Sequence, residues 1–385
     1  MTEVFTSHFI KTIFLTVSTT FTNWVVPITY SLLFKNYIMI PTKSYAAQKA
    51  GDTLAPFNFE RRNPGPHDVE IDILYCGVCH TDIHLVNNDW GISVYPMVPG
   101  HEIIGRVASV GDHVKKLKPG DMAGVGCLVD SCRDCDYCNE GLEQYCANGF
   151  TLTYSAYERD GKTITQGGYS NKIVVDERFV LKVDERLPPE KAAPLFCAGI
   201  TTYSPLKHWK VGKGHKLAVI GLGGLGHMAI KFGVAFGADV TVLSTHESKR
   251  EDALQSGAHN FVVTTDEEQL KTVANSFDFI LDTLSAVHDY NMYIGLLKTG
   301  GTLICVGLPT EPMHVPSFNI VFTKKCIAGS LIGGLPETQE MLDYCAEKNI
   351  TADVEVIPIQ YIQNAYERML NSDVKYRFVI DMSSL

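Results

Sequence analysis

Positive charge is scarce in this 385-residue chain: 33 Lys and Arg stand against 43 Asp and Glu, a net charge of −10. Binding DNA or RNA through phosphates needs a basic face, so nucleic acid is not an expected partner. A local basic patch still suits a small phosphorylated ligand. Internal repeats and low-complexity linkers are also missing, as in ordinary globular sequence. Cysteine is present, but not as a disulfide scaffold would have it. The eleven residues are odd in number and clustered, whereas structural disulfides usually link distant segments. That pattern suits thiolates held by metal in a reducing compartment, and a cytoplasmic location is expected.

The first forty residues differ from the rest. Between Lys11 and Lys35 runs TIFLTVSTTFTNWVVPITYSLLF, uncharged and long enough to span a bilayer. It is rich in Thr, broken by Pro27, and lacks a convincing small-x-small cleavage site before Gln48. A membrane anchor, an uncleaved export signal and an upstream start codon are the three readings. The start-codon reading is preferred, because Met39 directly precedes ordinary soluble sequence and a weak apolar run is a poor topology signal. Residues 1–43 are therefore set apart as a leader, and membrane association is expected only if it is genuine.

The remainder is long enough for two domains. From Tyr45 to Leu187 short alternating runs such as DVEIDILYCGV, GRVASVG and NKIVVDE are separated by Gly and Pro, as in a mostly β domain with long loops. After Pro188-Pro189, apolar strands alternate with helical stretches, which predicts a parallel sheet covered on both faces. Past Pro336, ETQEMLDYCAEKN and IQNAYERMLN read as helices and YRFVIDM as a last strand. The expected fold is an α/β two-domain protein, with residues 44–197 and 336–385 forming one domain and 198–335 the other.

Between a predicted strand and a predicted helix lies GLGGLG, Gly221-Leu222-Gly223-Gly224-Leu225-Gly226, in G-x-G-x-x-G spacing. Gly221 allows the tight turn, Gly223 the approach of backbone to a pyrophosphate, and Gly226 close helix–strand packing. The helix amino terminus then offers free N–H groups to that anion. An NAD site should carry Asp or Glu at the end of the second strand. Here Ser244, Thr245 and His246 stand there, with Lys249 and Arg250 nearby. Hydroxyls and cations suit a ribose 2′-phosphate, so NADP(H) is the expected cofactor. Glu247 runs against this unless its side chain faces solvent.

Cys132, Cys135, Cys138 and Cys146 follow C-x2-C-x2-C-x7-C spacing. Four thiolates fill a tetrahedral Zn²⁺, which makes the site structural. An iron–sulfur cluster is the rival occupant, but the run lacks a Cys-Pro ending. The chemistry is sought in CGVCHTDIH, PGHEIIG and LFCAGITTY. A Cys2His set from Cys79, His101 and Cys197 leaves one coordination position open, as catalytic zinc sites do. Spacing alone leaves Cys76 and Glu102 as equal contenders.

GHEIIGRVASVGDHV, together with CGVCHTDIH, YPMVPGHE, APLFCAGITTYSPL, GLGGLGH and VKYRFVID, resembles the medium-chain zinc-dependent alcohol dehydrogenases of the cinnamyl alcohol dehydrogenase branch. The resemblance runs from about Tyr45 to the end. It implies a GroES-like catalytic domain joined to a Rossmann domain, two zinc ions per chain, and a homodimer. It assigns the catalytic zinc to Cys79, His101 and Cys197, with Glu102 as alternate ligand, and the structural zinc to the four clustered cysteines. It also implies a proton relay through Thr81 and His84, with Asp89 at its outer end. Asp82 would orient His101, His80 would neighbour the cofactor phosphates, and Cys76 would be a small buried residue. Trp90, Tyr95 and Met97 hint at an apolar substrate wall. The implied reaction interconverts primary alcohols and aromatic or medium-chain aldehydes with NADP(H). The rival readings are an NAD-dependent polyol or short-chain alcohol dehydrogenase and a non-catalytic zinc-holding scaffold.

Overall fold

A computed structural model describes residues 39–385. The leader reading, apart from its last few residues, lies outside them. The strand Ile40–Ala46 pairs antiparallel with Ala55–Arg61, so folded structure begins inside the segment set apart as leader. Among the described residues no helix is long and apolar enough to cross a membrane.

Asp68–Gly77 is the hub of a seven-stranded sheet. It lies between Arg377–Asp381 and Ile103–Val110, with Val354–Pro358 beyond the former and Met122–Val125 and Leu181–Lys182 beyond the latter. Lys172–Asp176 also pairs with Asp68–Gly77. The strands alternate Val and Ile with polar residues because one face packs inward. Val69, Ile71 and Ile73 meet Ile103, Val107, Phe378 and Ile380 in a closed apolar core. The sheet thus draws the end of the chain back beside residues 77–79, where the Val78 N–H donates to the Phe378 carbonyl at 2.9 Å.

The second sheet is parallel throughout, in the order Asn260–Val263, Asp239–Ser244, Lys216–Ile220, Phe277–Asp282, Leu297–Cys305, Cys326–Gly329. In chain order this is 3-2-1-4-5-6, the doubly wound arrangement whose switch point lies at the carboxyl end of the first strand. That strand ends at Ile220, where the glycine turn begins.

The two sheets share apolar packing. Phe196, Leu217, Phe232, Val240 and Met341 belong to one cluster, and the helix Leu335–Lys348 turns Met341, Leu342 and Cys345 into it. Phe196 is 1% exposed, worth roughly 2 kcal/mol of burial. Gly124 in the strand Met122–Val125 leaves the room its ring occupies. The next residue is Cys197, so this packing fixes where that thiol sits.

Candidate active site

Cys79 is the amino-terminal cap of the helix His80–Asn87, and Cys197 caps Ala198–His208. Both thiols therefore stand where helix dipoles favour negative charge. His101 and Glu102 follow the Pro99-Gly100 turn into the strand Ile103–Val110. These elements bring the ligand atoms of Cys79, His101, Glu102 and Cys197 within 4.8 Å of one another, all buried. The Cys79 and Cys197 sulfurs are 3.9 Å apart, close to the ~3.8 Å expected for two sulfurs ~2.3 Å from a tetrahedral zinc. Cys197 hydrogen-bonds to Cys79 and holds that thiol well below its usual range. Cys197, lying against Cys127 and Cys79, is held well above its own.

Glu102 is fully buried and neither carboxylate oxygen has a hydrogen-bond partner among the described residues, although Arg377 Nη1 lies 3.3 Å from Oε1. The pair is in Coulomb reach but not aligned to donate. Burial pushes the carboxyl up to about 8, although Arg377 pulls it down. With both thiols and the Glu102 carboxyl ionised, as a bound dication would favour, two sulfurs and a carboxylate against one guanidinium leave a double negative charge in a dry site. The donor set and the charge both fit zinc. Cys76 is wholly buried behind them.

His101 Nδ1 points at Asp82 Oδ1, 3.2 Å away, which leaves Nε2 for the thiol cluster. Thr81 Oγ1 is 3.6 Å from Cys79 Sγ. His84 sits three residues on along the same helix, its Nδ1 2.7 Å from Asp89 Oδ2 and its ring against Trp90. The buried His84 Nε2 has no partner among the described residues. His80 is exposed as a residue, and burial of its imidazole lowers its pKa. The apolar wall is thinner than the sequence suggests. Met97 is wholly in the core, and the Tyr95 hydroxyl donates to the Leu85 and Val86 carbonyls at 3.1 and 2.8 Å. Of the three, Trp90 stays with the site.

Cys132, Cys135, Cys138 and Cys146 form a second group with all sulfurs within 4.8 Å. Backbone N–H groups of Cys132 and Ala147 donate to the sulfurs of Cys146 and Cys135 at 3.3 and 3.4 Å. Those to Cys135 push its thiol down to about 6. The lobe is tied across the fold, because Glu143 accepts from the Leu335 N–H at 2.9 Å and the Tyr145 hydroxyl from that of Leu331 at 3.0 Å.

Gly221 follows the strand Lys216–Ile220 with φ +87°, and a methyl group at Gly226 would collide with its carbonyl. Gly223 faces open space. Leu222 is buried and Leu225 half-buried beneath the turn. Gly224 lies against the Arg377 guanidinium, which also donates to the Val78 carbonyl at 3.0 Å. At the end of Asp239–Ser244, Ser244 is half-buried, and Thr245 and His246 are exposed. Glu247 does not simply face solvent. It clasps Arg250, with Nη2 to Oε2 at 2.9 Å, while the guanidinium stacks on Phe261. Arg250 is thus partly neutralised, while Lys249 beside it is half-buried. Arg377 was missed in the sequence. Its only trace was VKYRFVID, far along the chain from the residues it touches.

Comparison with known proteins gives the family. The family described as alcohol dehydrogenase GroES-like domain matches residues 65–185, and zinc-binding dehydrogenase matches 224–347. NADP-dependent alcohol dehydrogenase C 1 of Mycolicibacterium smegmatis is 55% identical over 90% of this chain and 99% of its own length. Cinnamyl alcohol dehydrogenase 2 of Rauvolfia serpentina is 53% identical over 89% and 96%. The crystal structure of CAD from Helicobacter pylori complexed with NADP(H) superposes with a TM-score of 0.85 at 44% identity, covering 90% of this chain and 99% of that one. The chain belongs to the zinc-dependent medium-chain alcohol dehydrogenases, in their cinnamyl alcohol dehydrogenase branch.

Proposed function

We propose that the chain is an NADP(H)-dependent alcohol dehydrogenase and aldehyde reductase acting on primary alcohols and aromatic or medium-chain aldehydes. The observation that carries this is the buried Cys79–His101–Cys197 cluster, with orphaned Glu102 beside it and the Arg377 guanidinium between it and the glycine turn. Zinc supplies Lewis acidity at the substrate oxygen and NADPH supplies the hydride. Cys79, His101 and Cys197 hold the zinc, and Glu102 serves as alternate ligand. Thr81 hands a proton between the substrate oxygen and His84, whose Nδ1 is held by Asp89. Gly221 to Gly226 receive the pyrophosphate, His80 lies by the phosphates, and Ser244, Thr245, His246 and Lys249 receive the ribose 2′-phosphate. Cys132, Cys135, Cys138 and Cys146 hold the structural zinc. Residues 198–335 form the nucleotide domain, and the flanking segments form the catalytic domain.

A homodimer and a cytoplasmic location complete the reading. The strand Cys326–Gly329 leaves one sheet edge open, and Phe318, Val321 and Phe322 beside it are 65, 73 and 74% exposed. A second copy would cover both, and light scattering at the mass of a monomer would refute it.

The test is a panel of cinnamaldehyde, benzaldehyde and straight-chain aldehydes with NADPH and NADH at equal concentration. Turnover preferring NADPH is expected, and equal or better rates with NADH would favour the NAD-dependent polyol or short-chain enzyme. Cys79→Ser is expected to abolish turnover while NADPH binding persists. Full activity in that variant would rule out the metal mechanism.

A further inference from the structure

Asp82 is wholly buried, and no Lys or Arg among the described residues pairs with it. Its charge is met by four hydrogen-bond donors and by the His101 imidazole. Oδ1 faces the Tyr154 hydroxyl at 2.6 Å, His101 Nδ1 at 3.2 Å and the Gly100 N–H at 3.3 Å. Oδ2 accepts from the Cys79 N–H at 2.8 Å and the Tyr169 hydroxyl at 3.2 Å. A carboxylate offers about four lone-pair directions, so this one is saturated. The shortest contact is the tyrosine's, in the range of charge-assisted O–H···O⁻ bonds.

Tyr154 makes a second contact with the same assembly. Its ring lies nearly parallel to the His101 imidazole, with centroids 5.8 Å apart and planes at 20°. One side chain thus flanks the imidazole face and also holds the acceptor of its Nδ1–H. Its backbone is pinned alongside, because the Thr153 hydroxyl donates to the Gly126 carbonyl and the Thr153 N–H to that of Cys127.

We infer that Tyr154, seconded by Tyr169, is a positioning residue for the metal centre. Its hydroxyl shares the Asp82 charge and so sets how strongly that carboxylate draws on the Nδ1 proton of His101, and how strongly Nε2 donates. This rests on the reading of Cys79, His101 and Cys197 as metal ligands. Without the hydroxyl the Asp82 charge falls on His101, the imidazole becomes a stronger donor, and the metal a weaker Lewis acid. Asp82 keeps its two backbone donors, so its place in the fold is retained.

The experiment exchanges cobalt into the purified full chain and records visible absorption. The Cys79→Ser chain serves as reference, so that the difference spectrum reports the Cys79 centre and not the four-cysteine site. Tyr154→Phe keeps the stacked ring and removes only the hydroxyl. It is expected to shift the difference bands and lower kcat about 10-fold, with KM for NADPH unchanged. Tyr169→Phe, with the longer bond, should shift them less. Bands of Tyr154→Phe identical to wild type would overturn the inference even if kcat fell, since the hydroxyl would then serve folding alone. If wild type and Cys79→Ser show no difference spectrum at all, the ligand reading itself fails.

Discussion

Arg377 Nη1 lies 3.3 Å from Glu102 Oε1, and both side chains are sealed from solvent. The same guanidinium lies against Gly224 in the glycine turn, so one cation touches both halves of the candidate active site. Breaking a buried ion pair from one side strands the other charge. Glu102→Gln should therefore destabilise the chain by up to about 3 kcal/mol, the low end for such pairs, because the Cys79 and Cys197 thiols still face Arg377. A urea midpoint equal to wild type would show that the thiols alone compensate the guanidinium.

Removing the four-cysteine metal should act differently. Cys135→Ser is expected to retain one metal equivalent instead of two and to melt earlier. The lobe that carries Glu143 and Tyr145 loses its clamp on residues 331–335. Per mole of remaining folded chain, kcat should stay within about threefold of wild type, since the four cysteines form a ligand group separate from that of Cys79, His101, Glu102 and Cys197. Metal analysis beside a thermal melt checks both halves.

What could be read from the sequence had local signals. The turn at Gly221 to Gly226 and the run from Cys132 to Cys146 are each contained in a short stretch whose spacing has a physical purpose. The strand Asp68–Gly77 and the helix Leu335–Lys348 announced themselves by periodicity. What escaped was long-range or ambiguous in type. Arg377 meets Glu102 only because the Arg377–Asp381 strand pairs with Asp68–Gly77. Tyr154 and Tyr169 look like any core tyrosines until Asp82 is seen between them. Met97 has the chemistry of a pocket wall and the burial of a core residue. Glu247 could not be assigned without its contact to Arg250.

The relay predicts a graded pair of losses. His84→Gln removes the base of the proposed relay and should lower kcat about 100-fold, the lower part of the range for general acid–base groups. Asp89→Asn leaves the imidazole in place without its 2.7 Å partner and should cost less. Equal loss in both variants, or none in either, would argue against a relay ordered outward from Thr81.

The proposed cofactor site puts the choice between NADPH and NADH at Ser244. Ser244→Asp places a carboxylate where a 2′-phosphate would lie, and should cut kcat/KM for NADPH about 10–100-fold while NADH gains. Arg250→Ala should matter less, because that guanidinium is already committed to Glu247 and Phe261. An unchanged NADPH/NADH ratio in Ser244→Asp would move the discriminating contact elsewhere.

His227 gives the fold a dependence on acid that is separate from the metal ligands. It opens the helix after the glycine turn, wholly buried, its Nδ1–H donating to the Gly223 carbonyl at 3.2 Å and Nε2 accepting from the Asp353 N–H at 3.4 Å. Its ring stacks on Tyr376, 5.0 Å away. Both nitrogens are used by the neutral tautomer, leaving no acceptor for a second proton. Burial pushes its pKa down to about 3, with Lys231 and Arg377 adding to the fall and the Asp353 carboxylate opposing it. The unfolded imidazole titrates near 6.5, so between about 6.5 and 3 the unfolded chain binds the extra proton and the folded chain does not. Stability is therefore full above that window and declines as pH falls through it, by about 2 kcal/mol between pH 6.5 and 5. His227→Gln has no proton to gain. Other groups also lose stability in acid, so the measurement is the difference between the two chains in urea unfolding at pH 7 and pH 5. The wild type should lose the larger share of its stability, and equal losses would mean that His227 is already protonated in the fold.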